Sequence, residues 1–266
     1  MNSNPTPART NGVVADLGIG VLMLDTQFQR LPGDIGNGTT WSFPVQFRVV
    51  RGANPAAVVH GQATGLLEPF IAAALDLVAT GVRGITTSCG FLALLQKEMT
   101  AALPVPVATS SLLQAPVIEA MLPAGQQVGI LTFAAEALTQ RHLDAVGVRV
   151  DTPIEGLAPE SLFRRLYGGQ GGISDFATLE REVVEAALAL VARHPNVGAI
   201  LCECTNLPPH AAAIAEATGR PVFDIIGFID WFARSLTPPR YVRRWTPAPS
   251  ESALAHSVLT SPPFLP

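Results

Sequence analysis

Two short apolar stretches constrain the fold most. Each is predicted to be a buried strand that leads into a turn containing a cysteine. The first covers residues 84–92, with Cys89 at the turn and a helix after it. The second covers residues 197–207, with Cys204 at the turn. Ligands of parallel α/β sheets bind beyond the carboxyl ends of the strands. We therefore expect the two cysteines to face each other across one pocket.

Strand and helix patterns alternate along most of the chain. The strands are predicted at 18–24, 45–50, 84–87, 105–107, 127–132, 148–150, 197–201 and 221–223. The helices are predicted at 64–80, 91–103, 112–122, 136–146, 176–193, 209–218 and 226–234. This alternation predicts an α/β fold with mainly parallel sheets. The glycine-rich stretch 168–172 is predicted to be a loop.

The two halves of the chain repeat one pattern. Each opens with a glycine-bearing apolar strand that ends in a hydroxyl or carboxyl residue, and each later presents a strand that ends in cysteine. The repeat predicts two pseudo-symmetric α/β lobes, 17–125 and 126–235, with the active site in the cleft between them. The polar segment 1–16 is predicted to be a disordered tail, and 236–266 a proline-rich C-terminal extension.

The composition argues against several classes of protein. The 266 residues are 48% hydrophobic and 14% charged, which is ample for a large core. The net charge of −4 argues against a nucleic-acid partner. Three cysteines are too few for a disulfide framework, so we expect reduced thiols and a cytoplasmic location. The apolar runs are interrupted by charges, so no membrane association is expected.

The positions of Cys89 and Cys204 indicate acid–base chemistry. Each lies at or just before a predicted helix N-terminus, where free N–H groups favour an anion. That environment is expected to lower the thiol pKa and to seat a substrate carboxylate. Thiols on opposite faces of a carbon acid allow two-base proton transfer without a metal or an organic cofactor. Cys202 is interpreted as a small buried side chain, and no metal site is expected around it.

Three motifs resemble the aspartate/glutamate racemase superfamily. They are Thr-Ser-Cys-Gly-Phe at 87–91, Glu-Cys-Thr-Asn-Leu-Pro-Pro at 203–209, and the segment 24–37 with Leu-Asp-Thr and Pro-Gly-Asp-Ile-Gly-Asn. The resemblance spans about residues 17–235. It implies two α/β lobes, catalysis without pyridoxal phosphate, Cys89 and Cys204 as the acid–base pair, and a homodimer or higher homo-oligomer.

The candidates for substrate binding lie beside the two cysteines or at the ends of the first strands of each half. They are Asp25, Thr26, Thr87, Ser88, Gly90, Thr132, Thr205 and Asn206. Two positions depart from the family pattern. Amino-acid racemases commonly follow the first cysteine with Asn-Thr, and this chain has Gly90-Phe91. Glutamate racemases follow the second Cys-Thr with histidine, and this chain has Asn206. Glutamate specificity is therefore not expected.

The sequence thus predicts a cofactor-independent racemase or epimerase that acts on a small carboxylate, at the carbon next to the carboxyl group. One alternative is an arylmalonate-type decarboxylase or maleate-type isomerase on the same fold. Another is a small-molecule binding protein without turnover. A dithiol redox protein is disfavoured because the chain has no Cys-x-x-Cys motif. Asp34, which follows Pro32-Gly33, is interpreted as a turn residue.

Overall fold

The structure is a computed structural model that describes residues 18–171 and 175–239. Its first sheet has four parallel strands in the order β2-β1-β3-β4. These strands are β1 (Ile19–Leu24), β2 (Val45–Val50), β3 (Gly84–Thr87) and β4 (Val107–Ala108). Every residue of β1 and β3 is buried, which explains why both read as continuous apolar runs instead of alternating ones.

The second sheet repeats the strand order of the first, as β6-β5-β7-β8, again with parallel pairing throughout. Its strands are β5 (Gln127–Thr132), β6 (Ile154–Gly156), β7 (Val197–Cys202) and β8 (Val222–Phe223). The α/β class with parallel sheets is therefore confirmed. The strands that precede the turns with Cys89 and Cys204 are β3 and β7, and they hold the same place in the two sheets. The repeated sequence pattern thus corresponds to a repeated topology.

Helices connect the strands in both halves. They are α1 (Leu67–Ala79), α2 (Gln96–Ala102), α3 (Ala115–Met121), α4 (Gln140–Val146), α5 (Leu162–Arg165), α6 (Phe176–Arg193), α7 (Ala211–Thr218) and α8 (Ile225–Leu236). Four predicted helices begin instead as 3-10 turns, which are Gly90–Leu95 before α2, Ser111–Gln114 before α3, Ala135–Ala137 before α4 and Pro208–His210 before α7. The predicted glycine loop is in part the π-helical turn Leu166–Gln170, which continues α5.

The strand predicted at 148–150 is wrong. Gly147 ends α4 in the left-handed conformation, with φ 74°, and the N–H of Val148 donates back to the carbonyl of Leu143 at 2.9 Å. This segment therefore caps a helix, and Val150 is 75% exposed. The edge position of the sheet is taken by β6, which begins after Pro153, whose carbonyl accepts the N–H of Ile130 at 2.8 Å.

One continuous cluster of buried side chains extends through both sheets, from Leu22 and Phe70 to Phe163 and Leu190. The division into lobes at residues 125 and 126 stays a prediction, although each half contributes one sheet. The predicted tail 1–16 and most of the predicted extension 236–266 lie outside the described residues. Among the described helices, none combines the length and apolarity needed to cross a lipid bilayer.

Candidate active site

A cavity lies beyond the carboxyl ends of β3 and β7. Both predicted catalytic cysteines line it, which is the placement expected from the sequence. Its walls come from the end of β1 and the β1–β2 loop, the segment after β2, the turns after β3, β5 and β7, and the segment after α5. The lining residues are Leu24, Thr26, Phe28, Arg30, Pro55, Val59, Ser88, Cys89, Gly90, Phe91, Phe133, Tyr167, Glu203, Cys204, Thr205 and Asn206.

Cys89 is half-buried and directly precedes the 3-10 turn that starts at Gly90. Its turn is fixed by the N–H of Ser88, which donates to the carbonyl of Leu22 at 2.9 Å. Burial raises the pKa of the Cys89 thiol, and the charge of Glu203 raises it further. The N–H of Phe91 acts in the opposite direction. The expected lowering of the thiol pKa is therefore wrong, because desolvation outweighs the N–H groups of the turn.

Cys204 is buried and belongs to a hydrogen-bonded chain that closes one side of the cavity. Its sulfur lies 3.8 Å from Oδ1 of Asn206 and donates to it. Nδ2 of Asn206 donates in turn to Asp34. Burial raises the pKa of Cys204 as well, and the charge of Glu203 adds to this effect. A carbonyl acceptor stabilises the protonated thiol, so Cys204 is held in its neutral form.

Arg30 is held beside the cavity by two neighbours on its own loop. Its guanidinium donates to Asp34 at 2.8 Å and to the hydroxyl of Thr26 at 2.9 Å. The side chains of Arg30 and Asp34 are only 14% and 3% exposed. Asp34 also accepts the N–H of Gly36 at 2.7 Å, as its interpretation as a turn residue requires. Of the described residues that line the cavity, Arg30 alone carries a positive charge.

Four aromatic side chains face the same space: Phe28, Phe91, Phe133 and Tyr167. We call them the aromatic wall. The rings of Phe28 and Tyr167 meet edge to face, with centroids 4.8 Å apart. The guanidinium of Arg30 lies 4.6 Å from the centroid of Phe28. Burial raises the pKa of Tyr167, so its phenol is neutral. Aromatic faces attract cations. The cavity that holds this wall also contains a carboxyl group and two thiols.

Glu203 lies between Cys202 and Cys204 in the sequence, and its carboxyl side chain is fully buried. Its Oε2 accepts the hydroxyl of Thr132 at 2.6 Å. Burial raises the pKa of Glu203 to about 7. A Cβ atom added to Gly90 would lie 2.2 Å from Oε1 of Glu203. The glycine that departs from the racemase pattern is therefore the residue that leaves room for this carboxyl group.

Replacement of Gly90 by alanine is expected to lower the free energy of unfolding by about 2 kcal/mol, because the new methyl group overlaps both Oε1 and the carbonyl oxygen of Glu203. Urea denaturation measures the change. Gly38→Ala is the matched control, since no atom lies within 4 Å of its added Cβ. The control is expected to shift stability by less than about 0.5 kcal/mol. Equal midpoints for the two variants would contradict the close contact.

The predicted site residues fall into two groups. Seven line the cavity: Thr26, Ser88, Cys89, Gly90, Cys204, Thr205 and Asn206. Three do not. Asp25 is exposed and lines a neighbouring groove. Thr87 is buried and donates to the carbonyl of Thr109 at 2.6 Å. Thr132 is buried against Glu203. Substrate contacts for these three stay a prediction, and their hydrogen bonds support the turns around the cavity.

Nine lining residues were not among the predicted site residues, and those with charged or aromatic side chains include Phe28, Arg30, Phe133, Tyr167 and Glu203. Only Glu203 left a local signal, as a carboxylate between two cysteines directly after an apolar strand. The others come from segments far apart in the chain, and only the fold brings them together. Within the described residues, no cluster of three or more His, Cys, Asp or Glu side chains is arranged to hold a metal ion.

Comparison with known proteins finds relatives that are named lyases. No family model matches it. A dimethylsulfoniopropionate lyase from Durusdinium sp. clade D is 30% identical over 233 residues, which cover 84% of this chain and 76% of the relative. A second dimethylsulfoniopropionate lyase, from Emiliania huxleyi, is 31% identical over 240 residues, which cover 85% and 70%. The chain belongs to the dimethylsulfoniopropionate lyase family.

Solved structures relate the dimethylsulfoniopropionate lyase family to a wider group by fold. Unliganded arylmalonate decarboxylase has a TM-score of 0.52 at 15% identity, over 86% of this chain and 96% of that one. Glutamate racemase from Bacillus anthracis has a TM-score of 0.55 at 13% identity, over 84% of each chain. Aspartate racemase from Picrophilus torridus has a TM-score of 0.50 at 12% identity, over 85% and 96%. The resemblance to the aspartate/glutamate racemase superfamily is thereby confirmed for the fold.

Membership in the dimethylsulfoniopropionate lyase family corrects the predicted activity. The chain is an enzyme, as expected, because its relatives are enzymes. The prediction of a racemase or epimerase is wrong, since the relatives found by sequence are named lyases, which cleave their substrate. The decarboxylase alternative is supported only by similarity of fold. The homo-oligomer and the cytoplasmic location stay predictions.

Proposed function

We propose that this protein cleaves dimethylsulfoniopropionate, or a closely related sulfonium carboxylate, into dimethyl sulfide and acrylate. The observation that carries the proposal is the 30% identity to a lyase of that name over 84% of this chain. The cavity supports it independently. It combines thiols, one cation and an aromatic wall, and the substrate is a zwitterion with a carboxylate at one end and a sulfonium at the other.

The two ends of such a substrate match two kinds of group that line the cavity. Arg30 is the cation that would attract the carboxylate, and the hydroxyl of Ser88 is a further donor. Oγ of Ser88 already accepts the N–H of Leu24 at 2.9 Å, which leaves its own hydrogen for a ligand. The dimethylsulfonium group would lie against the aromatic wall, because a soft cation with methyl groups is stabilised by aromatic faces.

The cleavage needs one base. A thiolate removes a proton from the carbon next to the carboxylate. The electron pair of that C–H bond forms the carbon–carbon double bond of acrylate, and the C–S bond breaks with its pair on sulfur. Dimethyl sulfide thus leaves as a neutral molecule, and no general acid is required. We assign the base to Cys89, since Cys204 donates its hydrogen to Asn206.

Substrate binding also explains how a thiol with a raised pKa can react. Burial disfavours the thiolate of Cys89. A bound sulfonium cation adds a positive charge nearby and removes part of that penalty. Substrate binding is therefore expected to increase the thiolate fraction of Cys89.

The proposal is tested by incubation of the purified protein with dimethylsulfoniopropionate. Headspace gas chromatography measures dimethyl sulfide, and proton NMR of the same sample measures acrylate. We expect the two products in equal amounts, at a rate proportional to enzyme concentration. Dimethyl sulfide at the level of a heat-inactivated control would overturn the proposal. Free hydroxypropionate in place of acrylate would overturn the elimination.

The aromatic wall gives a prediction for substrate affinity. Replacement of Tyr167 by leucine removes a ring while keeping an apolar side chain, and we expect KM to rise about tenfold, which lies within the range for a cation–π contact. Tyr167→Phe is the matched control and is expected to keep KM within about twofold, because the ring remains. Initial-rate kinetics measure both variants. A similar KM for the leucine and phenylalanine variants would show that the ring contributes no cation binding.

A further inference from the structure

Glu203 has an oxygen atom that the fold leaves without a partner. The residue is fully buried, Oε2 accepts the hydroxyl of Thr132, and Oε1 has no hydrogen-bond partner in the described structure. A buried carboxylate oxygen without a donor is costly. The elimination derived above needs no second acid or base, so it does not account for this group.

The unpartnered oxygen is directed at the turn that carries Cys89. The ideal Cβ position of Gly90, the residue after Cys89, lies 2.2 Å from Oε1. Glu203 is also the residue before Cys204 and lines the same cavity as both thiols. One carboxyl group thus lies beside the backbone of both cysteine turns.

We propose that Glu203 and Cys89 share one proton, and that the thiol transfers it to Oε1 of Glu203 to form the reactive thiolate. The S–H bond breaks, the O–H bond forms, and the pair as a whole keeps its charge of minus one. After elimination Cys89 holds the substrate's proton, and the carboxyl group of Glu203 releases the other to solvent. Glu203 acts through Cys89 and contacts no substrate atom. The inference rests on the proposed function only for the role of Cys89 as base.

Cys89 is the better partner of the two thiols. Cys204 donates to Oδ1 of Asn206, which holds its hydrogen in place. Cys89 is half-buried, lies next to the contact of Oε1 with Gly90, and has no side-chain acceptor of its own among its described hydrogen bonds. In the described structure neither the hydrogen of Cys89 nor Oε1 of Glu203 has a hydrogen-bond partner, and both groups adjoin Gly90, so we assign Glu203 as the acceptor.

The electrostatics of the site agree with a shared proton. The charge of Glu203 is the second cause, after burial, of the raised pKa of both Cys89 and Cys204. Two groups that interact so strongly titrate as a pair. Burial brings the pKa of Glu203 to about 7, so the pair loses its first proton near neutral pH. The other titratable or charged groups around it are Arg30, Asp34, Tyr167, Cys202, Cys204 and, behind Phe91, His142.

The pH profile of Glu203→Gln tests the pair. In the wild-type enzyme, kcat/KM for dimethylsulfoniopropionate is expected to rise through a midpoint near 7 and then level off, because one proton must leave the pair. Glutamine keeps the shape of the Glu203 side chain but cannot accept the proton of Cys89. The midpoint of the rise in kcat/KM therefore moves toward the pKa of the Cys89 thiol. A displacement of the midpoint by two units, from 7 to 9, lowers kcat/KM at pH 7 by about 50-fold. An unchanged midpoint in the variant overturns the proposal, even if activity falls uniformly.

Thr132 supplies a second variant that leaves Glu203 in place. The hydroxyl of Thr132 lowers the pKa of Glu203, so Thr132→Val should move the midpoint to higher pH by about one unit. Thr132→Ser keeps the hydroxyl and should keep the midpoint. A valine variant with the midpoint of the serine variant overturns the proposal. This comparison holds even if Glu203→Gln does not fold.

Alkylation of Cys89 by iodoacetamide tests the pair without any substrate. Mass spectrometry of the digested protein follows Cys89 separately from Cys202 and Cys204. The wild-type rate should rise through the same midpoint near 7, and Glu203→Gln should displace it upward. If these profiles appear but no dimethyl sulfide is released, the proposed function fails and the pair stands. If dimethyl sulfide is released but the two alkylation profiles coincide, the shared proton is overturned and the proposed function stands.

Discussion

Cys89→Ser is expected to lower kcat/KM for dimethylsulfoniopropionate by about 1,000-fold, within the range for loss of a general base. Serine keeps nearly the same size, so the turn before Gly90 and the cavity keep their shape. Its hydroxyl, however, ionises far less readily than a thiol and cannot act as the base near neutral pH. The headspace assay for dimethyl sulfide measures the loss, and circular dichroism checks the fold.

The other two cysteines are the controls for this result. Cys202 is fully buried and does not line the cavity, so Cys202→Ala should retain kcat/KM within about threefold. Cys204→Ser should lose less activity than Cys89→Ser, because the elimination requires one base and Cys204 is held as a neutral thiol. Equal losses for Cys89→Ser and Cys204→Ser would contradict this assignment and favour two bases of equal weight.

Arg30→Met is the second change with a large expected effect, and it acts on both stability and binding. Methionine fills much of the space but leaves the buried carboxylate of Asp34 without its cation. Breaking a buried pair costs about 3 kcal/mol in the free energy of unfolding. The same variant should raise KM, since Arg30 alone among the described lining residues can attract the substrate carboxylate by charge.

Arg48→Met is the matched control for stability. Arg48 pairs with Asp76 at the surface, where the two side chains are 53% and 58% exposed. An exposed pair contributes less than about 1 kcal/mol, so this variant should unfold at nearly the wild-type urea concentration. Equal destabilisation by the two substitutions would show that the Arg30–Asp34 pair contributes no more to the free energy of unfolding than an exposed pair. An unchanged KM in Arg30→Met would remove Arg30 from substrate binding.

Several parts of the fold are predictable from the sequence because they depend on local patterns. The buried strands β1, β3 and β7 read as apolar runs, since both faces of a parallel sheet are covered. The two cysteine turns follow from these strands, and their meeting at one cavity follows from the parallel topology. The edge strand β6 was missed because it is short and only half-buried, whereas the apolar residues at 148–150 belong to a helix cap.

The cavity walls were less predictable because they depend on contacts between distant segments. Phe28 and Tyr167 are separated by most of the chain, and nothing near either residue indicates that their rings meet. The thiol pKa was predicted in the wrong direction for a similar reason. The sequence indicates the helix N-terminus beside Cys89, but the depth of burial and the nearby charge of Glu203 appear only in the fold.

The activity was predicted wrongly because two reactions share their first step. Racemisation and elimination both begin with loss of a proton from the carbon next to a carboxylate. They diverge afterwards, when the second face is reprotonated or a group leaves the adjacent carbon. Gly90 and Asn206 already departed from the amino-acid racemases at the positions beside both cysteines. Those departures fit a cavity with an aromatic wall and a buried carboxyl group.

The central claim is that Cys89 removes a proton from the carbon next to the carboxylate. Isotopic substitution of the substrate tests this claim most directly. The measurement compares kcat/KM for dimethylsulfoniopropionate deuterated at that carbon with kcat/KM for the substrate deuterated at the carbon next to sulfur. We predict a clear slowing with the first label and nearly none with the second. Equal rates for both labelled substrates, with a carboxyethyl group found on Cys89, would contradict elimination and indicate direct displacement by the thiolate.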